Sequence, residues 1–198
     1  MTRLLFLGAL NFMNSNSRSI QEARLATQKL GSLIGHPMVA VRRACDWQMF
    51  SFGNWLQRVA RYGPSKEKLV SVPEFALHIQ CSWRICKDDH VLVGSQDRFF
   101  TKDGEVITES QPGEVLLDVN VRRIREEMKA SPTDFVVQRV NVNALLDLVI
   151  HFAGGYLLQA GPYDSLKGDS QEYWRFFHKT EKGNSPHLVA TANGVRGL

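Results

Sequence analysis

From Phe75 to Ile85 apolar and polar residues alternate almost without a break. In an extended strand this sets Phe75, Leu77, Ile79, Cys81, Trp83 and Ile85 on one face and Ala76, His78, Gln80, Ser82 and Arg84 on the other. One face requires a core, and the other is a row of hydrogen-bonding groups. Lys87-Asp88-Asp89-His90 is a polar connector of hairpin length before the extended run Val91 to Ser95. The strand through Phe75 to Cys86 and that run are therefore expected to pair antiparallel.

Upstream the period is helical. Ser19 followed by Glu22 matches a capping box, and Ala23, Ala26, Leu30 and Leu33 form one stripe that ends at Gly35-His36-Pro37. Val39 to Phe52 alternates, and its two β-branched residues and several aromatics favour a strand, with a helix through Ala40 to Met49 as the alternative that the pattern also admits. Gly53-Asn54 is a turn signal, Trp55 to Arg61 a more exposed strand running back, and Tyr62-Gly63-Pro64-Ser65 a loop. Lys102-Asp103-Gly104 and Gln111-Pro112-Gly113 mark turns. Helical spacing returns over Glu114 to Lys129, with Leu117, Val121, Ile124 and Met128 on one stripe.

The C-terminal half predicts a meander, Phe135 to Val142, Leu145 to Phe152 and Tyr156 to Ala160, with the last two strands joined through Ala153-Gly154-Gly155. Asp169 and Glu172 predict the cap of a short helix carrying Tyr173, Trp174, Phe176 and Phe177, a segment too aromatic to stay in water. His187 to Ala192 is expected as a last edge strand. The expected fold is α+β, a single domain over residues 19–195 built on a largely antiparallel, twisted β-meander sheet of six to eight strands, packed by two or three helices. Residues 1–18 are expected to be a loosely held arm and 196–198 a tail.

Composition adds limits. The 198 residues, 43% hydrophobic and 22% charged, describe an ordinary globular chain with one sizeable core. The 24 basic and 20 acidic residues leave a net charge of +4, a margin that argues against nucleic acid as the partner. Three cysteines, Cys45, Cys81 and Cys86, fall in strand-like segments, which fits a reducing, cytoplasmic setting. The apolar run Leu4 to Leu10 is far shorter than a membrane span, and Asn14 to Ser17 follow where a signal cleavage pattern belongs.

The candidate chemistry is thin. His78, Cys81, Cys86 and His90 have the residue types of a metal site, but odd spacings on a strand send His78 and Cys81, and Cys81 and Cys86, to opposite faces. The same parity separates Cys81 from His78 and from Asp46 or Asp97 as a nucleophilic triad. No phosphate-binding glycine loop, nucleophile elbow or paired-carboxylate spacing marks an enzyme class, and no cofactor is indicated. Most aromatic rings sit at core parity, away from base stacking.

The group that remains is Asp46, Gln48, His78, Gln80, Arg84 and Asp97, with Ser95 beside it. It admits two readings. One is a structural network in which Arg84 pairs with Asp46 or Asp97 and pins strand register. The other is a small polar pocket in which Arg84 binds an anionic group and His78 sets orientation or protonation.

The runs Arg42 to Gly53, Phe75 to Ile85, Gly94-Ser95-Gln96-Asp97 and Glu172-Tyr173-Trp174-Arg175-Phe176-Phe177 resemble a family of uncharacterised bacterial proteins, over about Leu30 to Val195. The resemblance implies a bacterial cytoplasmic setting and a single unit, and brings no activity with it. With no catalytic motif and with free sheet edges expected, the leading functional expectation is a protein-interaction module, immunity-like or accessory to another bacterial system, whose partner is another protein and not a membrane. The alternative is a small module that binds an anionic ligand, or acts on one, around His78 and Arg84.

Overall fold

The computed structural model describes residues 19–60, 67–108, 113–163, 171–180 and 183–197. The expected arm over 1–18, the loop at Tyr62 to Ser65 and the cap at Asp169 lie outside these residues. Helix α1 spans residues 19–30 and continues as a short 3-10 turn, Gly31–Leu33. Its predicted stripe, Ala23, Ala26, Leu30 and Leu33, is buried. Helix α2, Leu116–Ala130, buries Leu117, Val121, Ile124 and Met128 as its spacing predicts. No helix among the described residues is long and apolar enough to cross a membrane.

The α+β class holds, with every strand pairing among the described residues antiparallel, but the strands divide between two sheets. The seven-stranded sheet has the order β1-β2-β3-β9-β11-β12, with β10 paired to β9. Its strands are β1 Met38–Ala44, β2 Trp47–Val59, β3 Leu69–Ile79, β9 Glu172–Thr180, β10 Gly183–Asn184, β11 Leu188–Thr191 and β12 Gly194–Arg196. The five-stranded sheet, order β5-β4-β8-β7-β6, is built from β4 Ser82–Lys87, β5 His90–Gly94, β6 Val137–Val142, β7 Leu148–Phe152 and β8 Leu157–Gly161. Both sheets feed one hydrophobic core. Phe50 on β2 meets Trp83 on β4 edge-on at 5.3 Å, and Trp174 on β9 donates its Nε1–H to the Leu146 carbonyl at 2.9 Å, beside the start of β7.

Two predicted hairpins form as expected: β4 and β5 around Asp88-Asp89, and β7 and β8 around the glycines, with Gly155 at φ +80°. Five other expectations are corrected. Phe75 to Cys86 is two strands, because at Gln80-Cys81 the chain leaves one sheet for the other while both amides donate to the Tyr173 carbonyl. Core parity survives that break, since Leu77 and Ile79 on β3 and Trp83 and Ile85 on β4 face the same core.

Val39 to Phe52 is likewise a hairpin. The chain reverses at Cys45-Asp46, where Cys45 takes φ +51°, and Ala44 pairs with Trp47. Gly53-Asn54 is not a turn but a bulge, and β2 runs through it to pair with β3 on both sides.

The aromatic segment Glu172 to Phe177 is strand β9, not a helix. Its Tyr, Trp and Phe side chains suit a pleated surface, β3 and β11 pair with its two edges, and the buried rings of Tyr173 and Phe177 on one face and of Trp174 and Phe176 on the other leave no apolar alternation in its sequence. β11 is not the edge strand, because it turns back at Ala192-Asn193 to pair with β12, which takes in Arg196 from the expected tail.

Candidate functional site

The six residues singled out in the sequence fall in three places. Asp46, Gln48 and Gln80 line a polar cavity of about 200 Å³ where the β1–β2 turn meets the crossing from β3 to β4. Gln48 is buried there and donates Nε2–H to the Arg42 carbonyl at 2.9 Å. Asp46 is exposed, 3.8 Å from Arg98.

Arg84 and Asp97 line an adjoining groove on the five-stranded sheet, which shares Ser82, Trp83, Ser95 and Gln96 with that cavity. Arg84 is exposed and donates Nε–H to Oε1 of Gln159, its cross-strand neighbour, at 2.7 Å. Asp97 accepts from the Gly94 amide at 3.2 Å and from Asn120 Nδ2 at 2.9 Å. The expected ion pair of Arg84 with Asp46 or Asp97 does not form, because Asp46 belongs to the other sheet and Asp97 is used by the 3-10 turn after β5. Arg84→Met should therefore change stability by no more than about 0.5 kcal/mol, as at an ordinary surface position. Urea denaturation measures it, and a loss of several kcal/mol would restore the buried network.

His78 lies on the outer face of the seven-stranded sheet, away from both cavities. Strand register carries a row across that face: Arg42 pairs with Met49, Met49 with His78, His78 with Arg175, Arg175 with Val189, and Val189 with Arg196. Trp47 and Phe177 wall the imidazole edge-on, with centroids 5.6 and 5.2 Å away, and His187 stacks on Phe177 at 4.2 Å. Among the described residues, His78 Nδ1 is the one buried side-chain polar atom without a hydrogen-bond partner.

The charges on this face do not balance. Arg175 is held by Glu172, with Nε–H donated to Oε1 at 2.7 Å and a second, shorter bond from Nη2 to Oε2, and it also lies over the Trp47 ring. That uses the Glu172 carboxylate. Arg58 has a neutral partner, the Asn184 side-chain oxygen at 3.0 Å. Glu74 on β3 is turned toward His36 and His178, at 3.9 and 3.6 Å.

Lys179 is left with the Phe177 ring 5.8 Å from its ammonium group and with Arg58 and Arg42 as charged neighbours. Burial first, then those two arginines, push its pKa down to about 8. Burial, then Lys179 and Arg175, push His78 down to about 4, and burial followed by Arg175 lowers His187 as well. At neutral pH the site is a neutral imidazole with an unused nitrogen, set between aromatic walls and surrounded by cations.

This arrangement suits recognition of a negative group. His78 does not converge with Cys81, which lines the cavity on the other side of the sheet, and no group of three or more metal-ligating side chains occurs among the described residues. Arg42, Arg58, Arg175 and Lys179 are not among the candidate site residues that the sequence suggests, and Arg175 is the cation beside an aromatic and a carboxylate that its position next to Trp174 leads one to expect. The available signal was the alternation Arg175, Phe177, Lys179, which emerges only once β9 is a strand. The chain matches no protein-family model, no curated protein and no solved structure.

Proposed function

We propose that the protein is a binding module that takes a small anionic ligand, of the phosphate or carboxylate kind, on the outer face of its seven-stranded sheet. Lys179, Arg42 and Arg58 meet the charge, and His78 supplies one hydrogen bond from its free nitrogen. In this reading these three cations take the part that the sequence assigned to Arg84. The observation that supports it is Lys179, a half-buried ammonium whose charged neighbours are two further cations.

The linkage follows from the directions of the shifts. Between pH 6.5 and about 4 the unfolded chain binds a proton at His78 that the folded chain refuses, so stability falls with pH through that window. Lys179 is disfavoured in its charged form throughout neutral pH, and that penalty is relieved only as pH rises from about 8 toward 10.5. A bound anion reverses both effects by favouring the protonated forms.

Inorganic phosphate is therefore expected to raise the melting temperature and to raise the His78 pKa, followed by NMR of the imidazole. Lys179→Met is expected to raise the melting temperature without phosphate and to abolish the phosphate response. Equal stabilisation of both proteins by phosphate, with His78 titrating unchanged, would reduce the effect to general salt exclusion and overturn the proposal.

A further inference from the structure

A second basic feature lies at the edge of the same sheet. β1 is an outermost strand, and α2 runs beside it. Between them is a groove of about 440 Å³ lined by Ala40, Val41, Arg42, Arg43, Arg125 and Lys129, four cations and no carboxylate. The Val41 carbonyl points out of the sheet into this groove, where it accepts Nε–H of Arg125 at 2.8 Å. Because backbone groups alternate along a strand, the N–H and C=O of Arg43 lie on the same outward edge.

The intramolecular partners of these cations are held loosely. Arg43 reaches Asp118 at 3.3 Å and Lys129 reaches Glu126 at 2.8 Å, both as exposed pairs whose exchange for another carboxylate costs little.

We infer that this groove docks an extended acidic segment of a partner protein, laid beside β1 as an added strand. Its backbone meets the outward edge at Arg43, and its carboxylates meet Arg42, Arg43, Arg125 and Lys129. Charge complementarity selects the occupant, since an edge ringed by arginine and lysine resists pairing with a neutral or basic strand and accepts an acidic one. The groove shares Arg42 with the sheet face but not Lys179, so the two sites are separable by mutation.

The test uses the full chain and a fluorescein-labelled ten-residue peptide of alternating Glu and Val, compared with its Gln–Val counterpart by fluorescence anisotropy. The acidic peptide is expected to bind at least about tenfold more tightly than the Gln peptide, with affinity falling as salt rises. Arg43→Glu with Lys129→Glu should remove that preference while the protein melts normally and still responds to phosphate. Lys179→Met should bind the peptide as the unmodified chain does.

Equal affinity for both peptides, or full binding by the double variant, would overturn the inference. Loss of the peptide in Lys179→Met would move it to the sheet face and also overturn the inference. Tighter binding of a single-stranded oligonucleotide, lost in the same double variant, would replace the acidic segment with a nucleic acid.

Discussion

Replacing Trp174 with alanine is expected to cost about 3–5 kcal/mol, a large share of what a domain of this size has to lose. Trp174 is fully buried, pairs with Ile79 on β3 and with Ala190 on β11, and reaches across the core to the Leu146 carbonyl. Removing it leaves a cavity between the sheets and takes the indole donor from a carbonyl inside the protein. Leu146 itself holds φ +67°, so its backbone depends on the surroundings that fix it. Trp174→Phe keeps most of the ring and should lose only about 1–2 kcal/mol, mainly the hydrogen bond. Urea denaturation of the two variants separates packing from hydrogen bonding, and an alanine variant within about 1.5 kcal/mol of the parent would mean that the sheets do not depend on this contact.

Gly53→Ala is expected to cost roughly 2–3 kcal/mol. Gly53 sits at φ +79° in the β2 bulge, and an added Cβ would stand 2.8 Å from the Glu74 carboxylate, 3.0 Å from Glu74 Cβ and 3.1 Å from the Phe75 ring. Its amide also donates to the Pro37 carbonyl at 2.9 Å, which ties the bulge to the entry of β1. The comparison is Gly155→Ala: φ is +80° there too, yet nothing lies within 4 Å of the new atom, so only the backbone term of about 1 kcal/mol remains. Equal melting temperatures for the two variants would show that crowding at the bulge adds nothing.

The contrast between Gly53 and Gly155 also explains what was legible. A glycine between two runs of alternating residues signals a departure from regular strand, and Gly154-Gly155 does make the hairpin it predicts. Gly53 carries the same local signal but serves a bulge, because the partner strand β3 is long enough to pair beyond it, a fact written some twenty residues downstream. The reversal at Cys45-Asp46 and the break at Gln80-Cys81 lack glycine or proline altogether and are fixed by pairing elsewhere. The amphipathic helices and the core parity of Leu77, Ile79, Trp83 and Ile85 were legible because each is a local period.

The site was legible only at His78. Its neighbours Arg175, Phe177 and Lys179 come from a strand about a hundred residues away, and that strand carries buried rings on both faces, so its own period is hidden. Residue types placed His78, Arg84 and Asp97 together as a balanced polar group. Two sheets, where one was expected, separate His78 from the other two.

The strand order carries a consequence for how the chain reaches its fold during synthesis. β3 is neighboured by β2 on one side and by β9 on the other. The β1-β2-β3 meander and the whole five-stranded sheet are complete by Gly161, but the inner edge of β3 waits for residues 172–180. Until they leave the ribosome, β3 offers Phe75, Leu77 and Ile79 beside an open row of amides and carbonyls, the condition under which nascent chains pair with one another. Closure then demands contacts across a hundred positions, which slows the final step. A nascent chain stalled before Tyr173 should therefore hold a formed five-stranded sheet and an adhesive half of the other, until β9 closes the open edge.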